Sequence, residues 1–293
     1  MQSKNRILSK LVHALALLVF GFNICMAQLK IEEITHQDRP HFKISTPAAT
    51  YLFDRSGGGF SSIIDKNGLD WISYQKDSSV ATYPKSAGGQ YRGLPNAVFG
   101  NEDGGCGHPG FDKAVSEKVS ANTIETKSKS GLWEWTWTFY KDYAVWNVTK
   151  TDPNYVYWLL YEGTIAGSWN NLADKYWGSN KVINGQINDF YKNESISDQI
   201  DFMFFGDKKI KRTLFISQKK PDDIFDLVGF LGNRVEGMNQ SPDGMIVAGI
   251  GRDKKGKPAM SQPNTFKIGF VEYNVNTQSQ FNKLKKQINR KNY

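Results

Sequence analysis

The strongest constraint on the fold lies in residues 132–139, where aromatic and polar residues alternate strictly after Leu132. Three tryptophans and a phenylalanine occupy every second position, and a glutamate and two threonines lie between them. Successive side chains of a β-strand point to opposite faces of its sheet. The pattern therefore predicts a strand with one buried aromatic face and one polar face.

Ten further segments have the composition of short strands and are separated by turn signals rich in glycine, proline and asparagine. They are residues 42–45, 50–54, 60–65, 71–74, 144–150, 156–164, 201–205, 212–218, 245–249 and 265–273. A helix is predicted only over residues 276–288. Many short strands without crossover helices indicate an all-β protein, an antiparallel β-sandwich with a C-terminal helix. No linker or repeat divides the chain, so residues 28–293 are expected to form one domain.

The first 27 residues have the pattern of a secretory signal peptide. Three basic residues precede an apolar run over positions 11–22, and small or neutral residues follow up to Ala27. The run is shorter than the roughly 20 residues that cross a bilayer, and no later apolar segment comes close to that length. We expect cleavage after Ala27 and export to the periplasm or beyond. A lipoprotein would place Cys25 at the cleavage point, but residues 22–24 are poor lipobox residues.

Removal of this segment takes away three basic residues and one cysteine, so the net charge falls from +8 to +5. Cys106 then remains as a single thiol, which excludes an internal disulfide and leaves stability to a hydrophobic core. The positive charge suits an anionic partner. Nucleic acid is not expected, because no basic stretch is interleaved with glycines or aromatic residues.

Two neighbouring segments resemble a known family. Residues 49–53 (ATYLF) and 57–72 (GGGFSSIIDKNGLDWI) are similar to the first hairpins of the galactose-mutarotase-like super-sandwich. The glycines allow a tight corner, and Asn67-Gly68 suits the positive φ values of a two-residue hairpin. This resemblance implies a super-sandwich fold, which carries sugar epimerases, lyase domains and carbohydrate-binding modules. It implies a sugar ligand more strongly than any one reaction.

Residues 75–113 form a long segment rich in glycine and polar residues, and loops of that length are usually functional. His108 lies among its glycines and is a candidate general acid or base, or a turn residue that bonds its own loop. Arg92 offers a planar fork to a carboxylate or sulfate, or clamps loop carbonyls. Tyr161, at a strand end, is a candidate proton donor to a leaving oxygen, or a core residue.

Six further residues are candidates for substrate binding. Trp169 is a loop aromatic that could stack on a sugar ring, and Glu162 ends a strand on the face opposite Tyr161. Lys85 and Arg252 are candidate contacts for an anion. The six are Tyr91, Lys85, Asn96, Glu162, Trp169 and Arg252. Glu272, on the last predicted strand, is a weaker candidate.

No cofactor and no metal are expected. His36 and His41 lack a third ligand at a convincing spacing, and residues 101–103 suit a hydrated turn better than a Ca²⁺ site. The sequence has neither a phosphate-binding glycine motif nor a nucleophile elbow. Cys106 is a poor nucleophile for an exported protein, because a free thiol oxidises there.

Three functional classes fit these residues. The first is β-elimination on an acidic oligosaccharide or polysaccharide that contains uronic acid, and it needs a charge neutraliser, a base and an acid. The resemblance would then be to uronate-eliminating polysaccharide lyases or to ulvan oligosaccharide dehydratases. The second is a mutarotase-type epimerase that pairs His108 with Glu162 or Glu272, and the third is a non-catalytic carbohydrate-binding protein. We expect the first.

Overall fold

Sixteen strands and one α-helix lie within residues 29–76, 91–168, 172–188, 196–231 and 244–291, which the computed structural model describes. The strands are β1 (Lys30–His36), β2 (Arg39–Ser45), β3 (Ala49–Asp54), β4 (Gly59–Asp65), β5 (Ala114–Lys118), β6 (Thr123–Ser128), β7 (Glu134–Phe139), β8 (Tyr143–Lys150), β9 (Leu159–Gly163), β10 (Lys175–Ser179), β11 (Ile196–Asp198), β12 (Phe202–Asp207), β13 (Thr213–Gln218), β14 (Asp226–Leu231), β15 (Met245–Ile250) and β16 (Thr265–Val271). The helix is α1 (Gln278–Arg290). The predicted signal peptide lies outside the described residues.

The strands form three antiparallel sheets. One has the order β1-β2-β3-β4, one has eight strands in the order β10-β12-β13-β16-β8-β7-β6-β5, and one has the order β11-β14-β15-β9. One hydrophobic cluster draws buried residues from all three sheets. The predicted all-β antiparallel sandwich with a C-terminal helix is confirmed.

The segment 93–97 joins the two four-stranded sheets. Phe60 of β4 donates its backbone N–H to Leu94 O at 2.7 Å, and the backbones of Gly93 and Glu162 of β9 bond to each other in both directions. The segment thus acts as an irregular strand between the edges of two sheets, and it satisfies backbone groups that burial would otherwise leave unpaired. The two small sheets and this segment together make the layer that faces the eight-stranded sheet.

The aromatic face of β7 lies at the centre of the sandwich. Trp135, Trp137 and Phe139 are buried, and the residues between them are partly exposed. The ring of Trp137 packs edge-to-face on Phe60 of the opposite layer, with ring centroids 4.6 Å apart, and stacks on Trp146 of β8. The alternation predicted for this segment is confirmed, and its buried face packs against the opposite layer.

Helix α1 covers part of the outer face of the eight-stranded sheet. It begins after Thr277, whose side chain accepts from the backbone N–H of Gln280, as expected for an N-cap. Leu284 and Ile288 are buried against this sheet, and the buried Lys267 ammonium donates to Ile288 O at 2.6 Å at the helix C-terminus. The helix begins and ends two residues later than predicted. No helix among the described residues is long and apolar enough to span a membrane.

Two local predictions are wrong. Trp71, Ile72 and Tyr74 are buried, but residues 71–74 do not form a strand, and Ser73 has a φ of 59°. In the turn after β4, Gly68 has a φ of 82°, whereas Asn67 is not among the residues with positive φ. This turn is stabilised instead by the Asp65 carboxylate, which accepts from the backbone N–H groups of Asn67 and Leu69.

Six strands were not expected from the sequence: β1, β5, β6, β10, β11 and β14. Strands β1, β5 and β6 carry many charged or polar residues, so few apolar residues remain to show the period of a strand. Strand β10 is buried throughout although it begins with Lys175, because that ammonium bonds to Asp207 at 2.8 Å.

Arg212, directly before β13, connects the layers, and its replacement tests that connection. The buried guanidinium donates to Ala48 O at 2.9 Å, contacts the buried Asp65 carboxylate at 3.8 Å and pairs with Glu272. Arg212→Met leaves Asp65 without this cation, so we expect a loss of about 3–5 kcal/mol in the free energy of unfolding, measured by urea denaturation. The matched control is Lys209→Met, which removes an exposed pair with Asp174 and should cost less than about 1 kcal/mol. Equal losses in the two variants would contradict a bridging role for Arg212.

Candidate functional site

A cleft of about 350 Å³ opens where β9 and β15 meet the segment 91–99 and the turn 252–257. A carboxyl group, an amide, aromatic rings and cationic side chains converge on it. Its lining residues are Tyr91, Asn96, Phe99, Trp158, Leu160, Glu162, Leu231, Val247, Arg252, Lys255, Gly256 and Lys257. Such a mixture of apolar walls with a few polar groups is typical of a ligand site.

Glu162 is the carboxylic acid that lines this cleft. The period of β9 turns Leu160 and Glu162 toward the cleft and Tyr161 toward the core. The Glu162 side chain is buried, and Asn96 donates its side-chain N–H to Oε2 at 3.1 Å. Burial raises the pKa of Glu162 to about 7, although the Asn96 hydrogen bond and the charge of Arg252 act to lower it. A carboxyl group with this pKa can accept or donate a proton near neutral pH.

Asn96 is held in place by its backbone. Its φ of 40° lies in the left-handed region, which asparagine tolerates better than most residues. Its N–H donates to Gly107 O at 3.0 Å, and its carbonyl accepts from the indole N–H of Trp158. The amide that meets Glu162 is thus set by three separate constraints. Unusual backbone geometry of this kind is concentrated at functional sites.

Aromatic rings form one wall of the cleft. Phe99 stacks on Trp158 with ring centroids 5.4 Å apart and an angle of 28° between the planes. Phe99 is 51% exposed, whereas most of the large apolar residues that the structure describes are buried. The guanidinium of Arg252 lies 4.6 Å from the ring centroid of Trp158. Phe99 therefore offers an exposed flat face that is supported from behind.

The three predicted catalytic residues do not line this cleft. The ring nitrogens of His108 lie 2.6 Å from Pro109 O and 2.9 Å from Tyr91 O, and burial lowers its pKa. Each ring nitrogen therefore faces a backbone carbonyl, and the side chain braces its own loop. The expectation that His108 faces a ligand is not what the structure shows.

The glycines around His108 serve backbone packing. A Cβ added at Gly57 would lie 2.2 Å from His108 O, and one added at Gly59 would lie 2.1 Å from Gly107 O. Substitution at either position would require the backbone to move. Gly57 and Gly59, which the sequence analysis assigned to a tight corner, therefore also allow the His108 loop to pack closely against this corner.

Arg92 and Tyr161 are also turned inward. The Arg92 guanidinium donates to the backbone carbonyls of Ser73 and Gly244, which matches the clamp that was the alternative to ligand binding. The hydroxyl of Tyr161 donates to Trp71 O at 2.6 Å, and burial raises its pKa. Both side chains are buried, so a ligand in the cleft would meet neither of them without rearrangement.

Four of the six predicted binding residues do meet at the cleft: Tyr91, Asn96, Glu162 and Arg252. Lys85 and Trp169 lie outside the described residues. The sequence interpretation missed Phe99, Trp158, Lys255 and Lys257. Trp158 had a signal, because it lies four residues before Glu162 on an extended segment and therefore shares its face. Phe99 and the two lysines lie in irregular segments, where no period applies.

Other titratable groups lie apart from this cleft. Burial raises the pKa of Cys106 to about 12, so the thiol stays protonated and unreactive. Burial also acts to raise the pKa of Glu272, but hydrogen bonds from Lys66 and Arg212 lower it overall. Among the described residues, no group of three or more histidine, cysteine, aspartate or glutamate side chains could hold a metal ion.

Comparisons with known proteins bear on the fold. No protein-family model and no curated protein match the sequence. The crystal structure of a protein named HI1317 is 12% identical and matches 84% of this chain and 99% of its own, with a TM-score of 0.54. A galactose mutarotase related enzyme from Lactobacillus acidophilus is 8% identical over 81% of this chain and 99% of its own, with a TM-score of 0.49. The heparan sulfate lyase HepC from Pedobacter heparinus is 10% identical over 86% of this chain and 37% of its own, with a TM-score of 0.34.

The similarity to HI1317 agrees with the β-sandwich fold. At this level of identity a structural similarity establishes the fold and not the activity, which has to be argued from the residues of the cleft.

The raised pKa of Glu162 predicts a specific dependence of stability on pH. A carboxyl group whose pKa rises from 4.5 to about 7 on folding favours the folded state below pH 4.5, and this contribution is lost as pH rises through 7. Glu162→Gln cannot ionise and should avoid the loss. Its stability relative to wild type should therefore increase between pH 4.5 and 8, by on the order of 3 kcal/mol. Parallel curves of Tm against pH for the two proteins would show that Glu162 ionises normally.

Proposed function

We propose that this chain is an exported enzyme that acts on a uronic-acid-containing saccharide by β-elimination, with Glu162 as its proton-transfer group. The observation that carries the proposal is the buried Glu162 carboxyl, with a pKa of about 7, in a cleft lined by aromatic and cationic side chains. The predicted signal peptide and the net positive charge of the remaining chain fit an extracellular, anionic substrate.

The reaction begins with Glu162 ionised. Its carboxylate removes the proton on C5 of a uronate, and the electron pair of that C–H bond forms the C4=C5 double bond. The C4–O bond breaks, and the leaving oxygen takes the proton back from Glu162. The products are an unsaturated uronate and either a shorter saccharide or water, and no oxidant or cofactor is consumed. One carboxyl group can serve both transfers when the C5 proton and the C4 oxygen lie on the same face of the ring.

Removal of the C5 proton is difficult because the uronate carboxylate is already negative. A hydrogen-bond donor or a cation must meet that carboxylate as charge builds up on it. Asn96 is suited to this role, since its amide already points at Glu162 and its backbone is fixed. The exposed face of Phe99 is suited to support a sugar ring, because aromatic rings offer large apolar contact at little cost in conformational entropy.

A mutarotase-type epimerase would pair a histidine acid with a carboxylate base. The histidine proposed for that pairing, His108, is buried and faces backbone carbonyls. Among the described residues that line the cleft, the titratable groups besides Glu162 are Tyr91 and three cations. This set fits elimination better, because a single carboxyl group is sufficient for it.

The first test is the unsaturated product. Elimination conjugates the new double bond with the carboxylate, and the product absorbs in the near ultraviolet. Wild-type protein should generate this absorbance from uronate oligosaccharides, and Glu162→Gln should lower kcat by about 10²–10⁴-fold. Glu117→Gln is the matched control, because Glu117 lies exposed on β5 outside the cleft, and it should keep wild-type turnover. If wild-type protein binds the oligosaccharides but forms no unsaturated product, the chain is a carbohydrate-binding protein and not an eliminating enzyme.

The second test concerns pH. Activity should rise as pH passes through about 7, because the carboxylate form of Glu162 is the base. The Asn96 hydrogen bond lowers this pKa, so Asn96→Gly should raise it and move the rising limb of the kcat/KM profile to higher pH. Glycine is the appropriate replacement, since it accepts the positive φ at this position. A lower rate with an unchanged limb would mean that Asn96 binds substrate without affecting the base.

A further inference from the structure

The turn 252–257 at the rim of the cleft is a rigid element. Arg252 lies beneath it and donates from Nε and Nη2 to Gly256 O, at 3.2 and 2.9 Å. The Asp253 carboxylate accepts from the backbone N–H groups of Lys255 and Lys257, at 2.9 and 2.8 Å. These bonds, together with the packing of Arg252 on Trp158, fix the turn against the aromatic wall.

The glycine of this turn is required by the same packing. Gly256 has a φ of 74°, and a Cβ at this position would lie 2.8 Å from Nη2 of Arg252. The turn therefore depends on Arg252 and Gly256 together. Its backbone is set before any ligand arrives, which reduces the entropy lost on binding.

The turn presents two lysines to the cleft. Lys255 and Lys257 line it and are exposed, and within the described residues neither ammonium has an ion-pair partner. Asp253 cannot neutralise them fully, because its carboxylate is engaged by the backbone of the turn. Lys254 differs from both: it does not line the cleft, and its ammonium lies 4.3 Å from the ring centroid of Phe225.

We infer that Lys255 and Lys257 form a recognition site for a second oxyanion, a carboxylate or sulfate on the sugar next to the one that Glu162 would act on. The inference rests on the proposed function for the identity of the ligand as an acidic saccharide. The buried position of Glu162 and the exposed position of the lysines place the two functions at different depths of one cleft. The residues thus select a substrate with charge on at least two neighbouring units.

Binding of tetrasaccharides to the wild-type protein and to single variants tests this site. The probes are an unsulfated uronic-acid glycan, heparosan, and its sulfated counterpart, heparin, with affinity measured by calorimetry at low and physiological salt. Lys255→Ala and Lys257→Ala should each weaken Kd by about two- to five-fold, as expected for exposed ion pairs. The losses should shrink as salt rises. Lys254→Ala removes the same charge from the same turn and should leave Kd unchanged.

A fourth variant separates geometry from net charge. Gly256→Ala keeps every charge but crowds Arg252, so it should weaken Kd about as much as the loss of one lysine. A thermal unfolding curve for each variant shows that it remains folded. A larger loss for heparin than for heparosan in the lysine variants assigns the site to sulfate, and equal losses assign it to carboxylate.

The outcomes distinguish this site from the proposed reaction. Equal losses in Lys254→Ala and the two cleft variants would overturn the recognition site, because net charge alone would then explain them. Failure of the wild type to bind either probe at physiological salt would also overturn it. If only the two cleft-lysine variants lose affinity and wild type forms no unsaturated product, the recognition site is supported and the proposed elimination is wrong.

Discussion

The pairing of the segment 93–97 with β4 on one side and β9 on the other is the constraint on which the site depends. It makes two four-stranded sheets into one layer, and the same hydrogen bonds fix the backbone on either side of Asn96. The carbonyl of Pro95 accepts from Leu160 N–H, and the N–H of Glu162 donates to Gly93 O. The amide and the carboxyl group of the cleft are thus neighbours because their backbones are paired. A rigid pair of this kind is the arrangement that precise proton transfer requires.

The burial that raises the pKa of Glu162 also costs stability. A carboxyl group kept out of water is stable in its neutral form, and each unit by which its pKa is raised corresponds to about 1.4 kcal/mol of destabilisation once it ionises. Burial likewise raises the pKa of Asp226, at the start of β14, to about 7. The carboxylate of Asp226, however, accepts from the backbone N–H groups of Ile200 and Gly251. The two groups have similar pKa values and different surroundings. Asp226 is enclosed by backbone donors, whereas Glu162 faces a cleft.

The sequence predicted the class of fold because alternation is a local property. The aromatic face of β7 follows from period two, and so does the opposition of Tyr161 and Glu162 across β9. The site was only partly predictable: four of the cleft residues were named, but His108, Arg92 and Tyr161, the residues predicted for catalysis, do not line the cleft. Histidine, arginine and tyrosine suggest a catalytic role from their residue type alone. Whether such a side chain can reach a ligand depends on its burial and on its hydrogen bonds to the backbone. Those quantities depend on contacts such as Gly57 against His108, which join residues about fifty positions apart.

The order of strands in the largest sheet has a consequence for how the chain folds. Strand β16 lies between β13 and β8, so it separates a group made of β5 to β8 from a group made of β10, β12 and β13. Each group can pair locally, but their union requires β16, which is distant from β8 in the sequence. Folding of this sheet is therefore dominated by non-local pairing, which slows it. A chain shortened before Thr265 would hold two half-sheets with open edges, a state prone to aggregation rather than a smaller version of the protein.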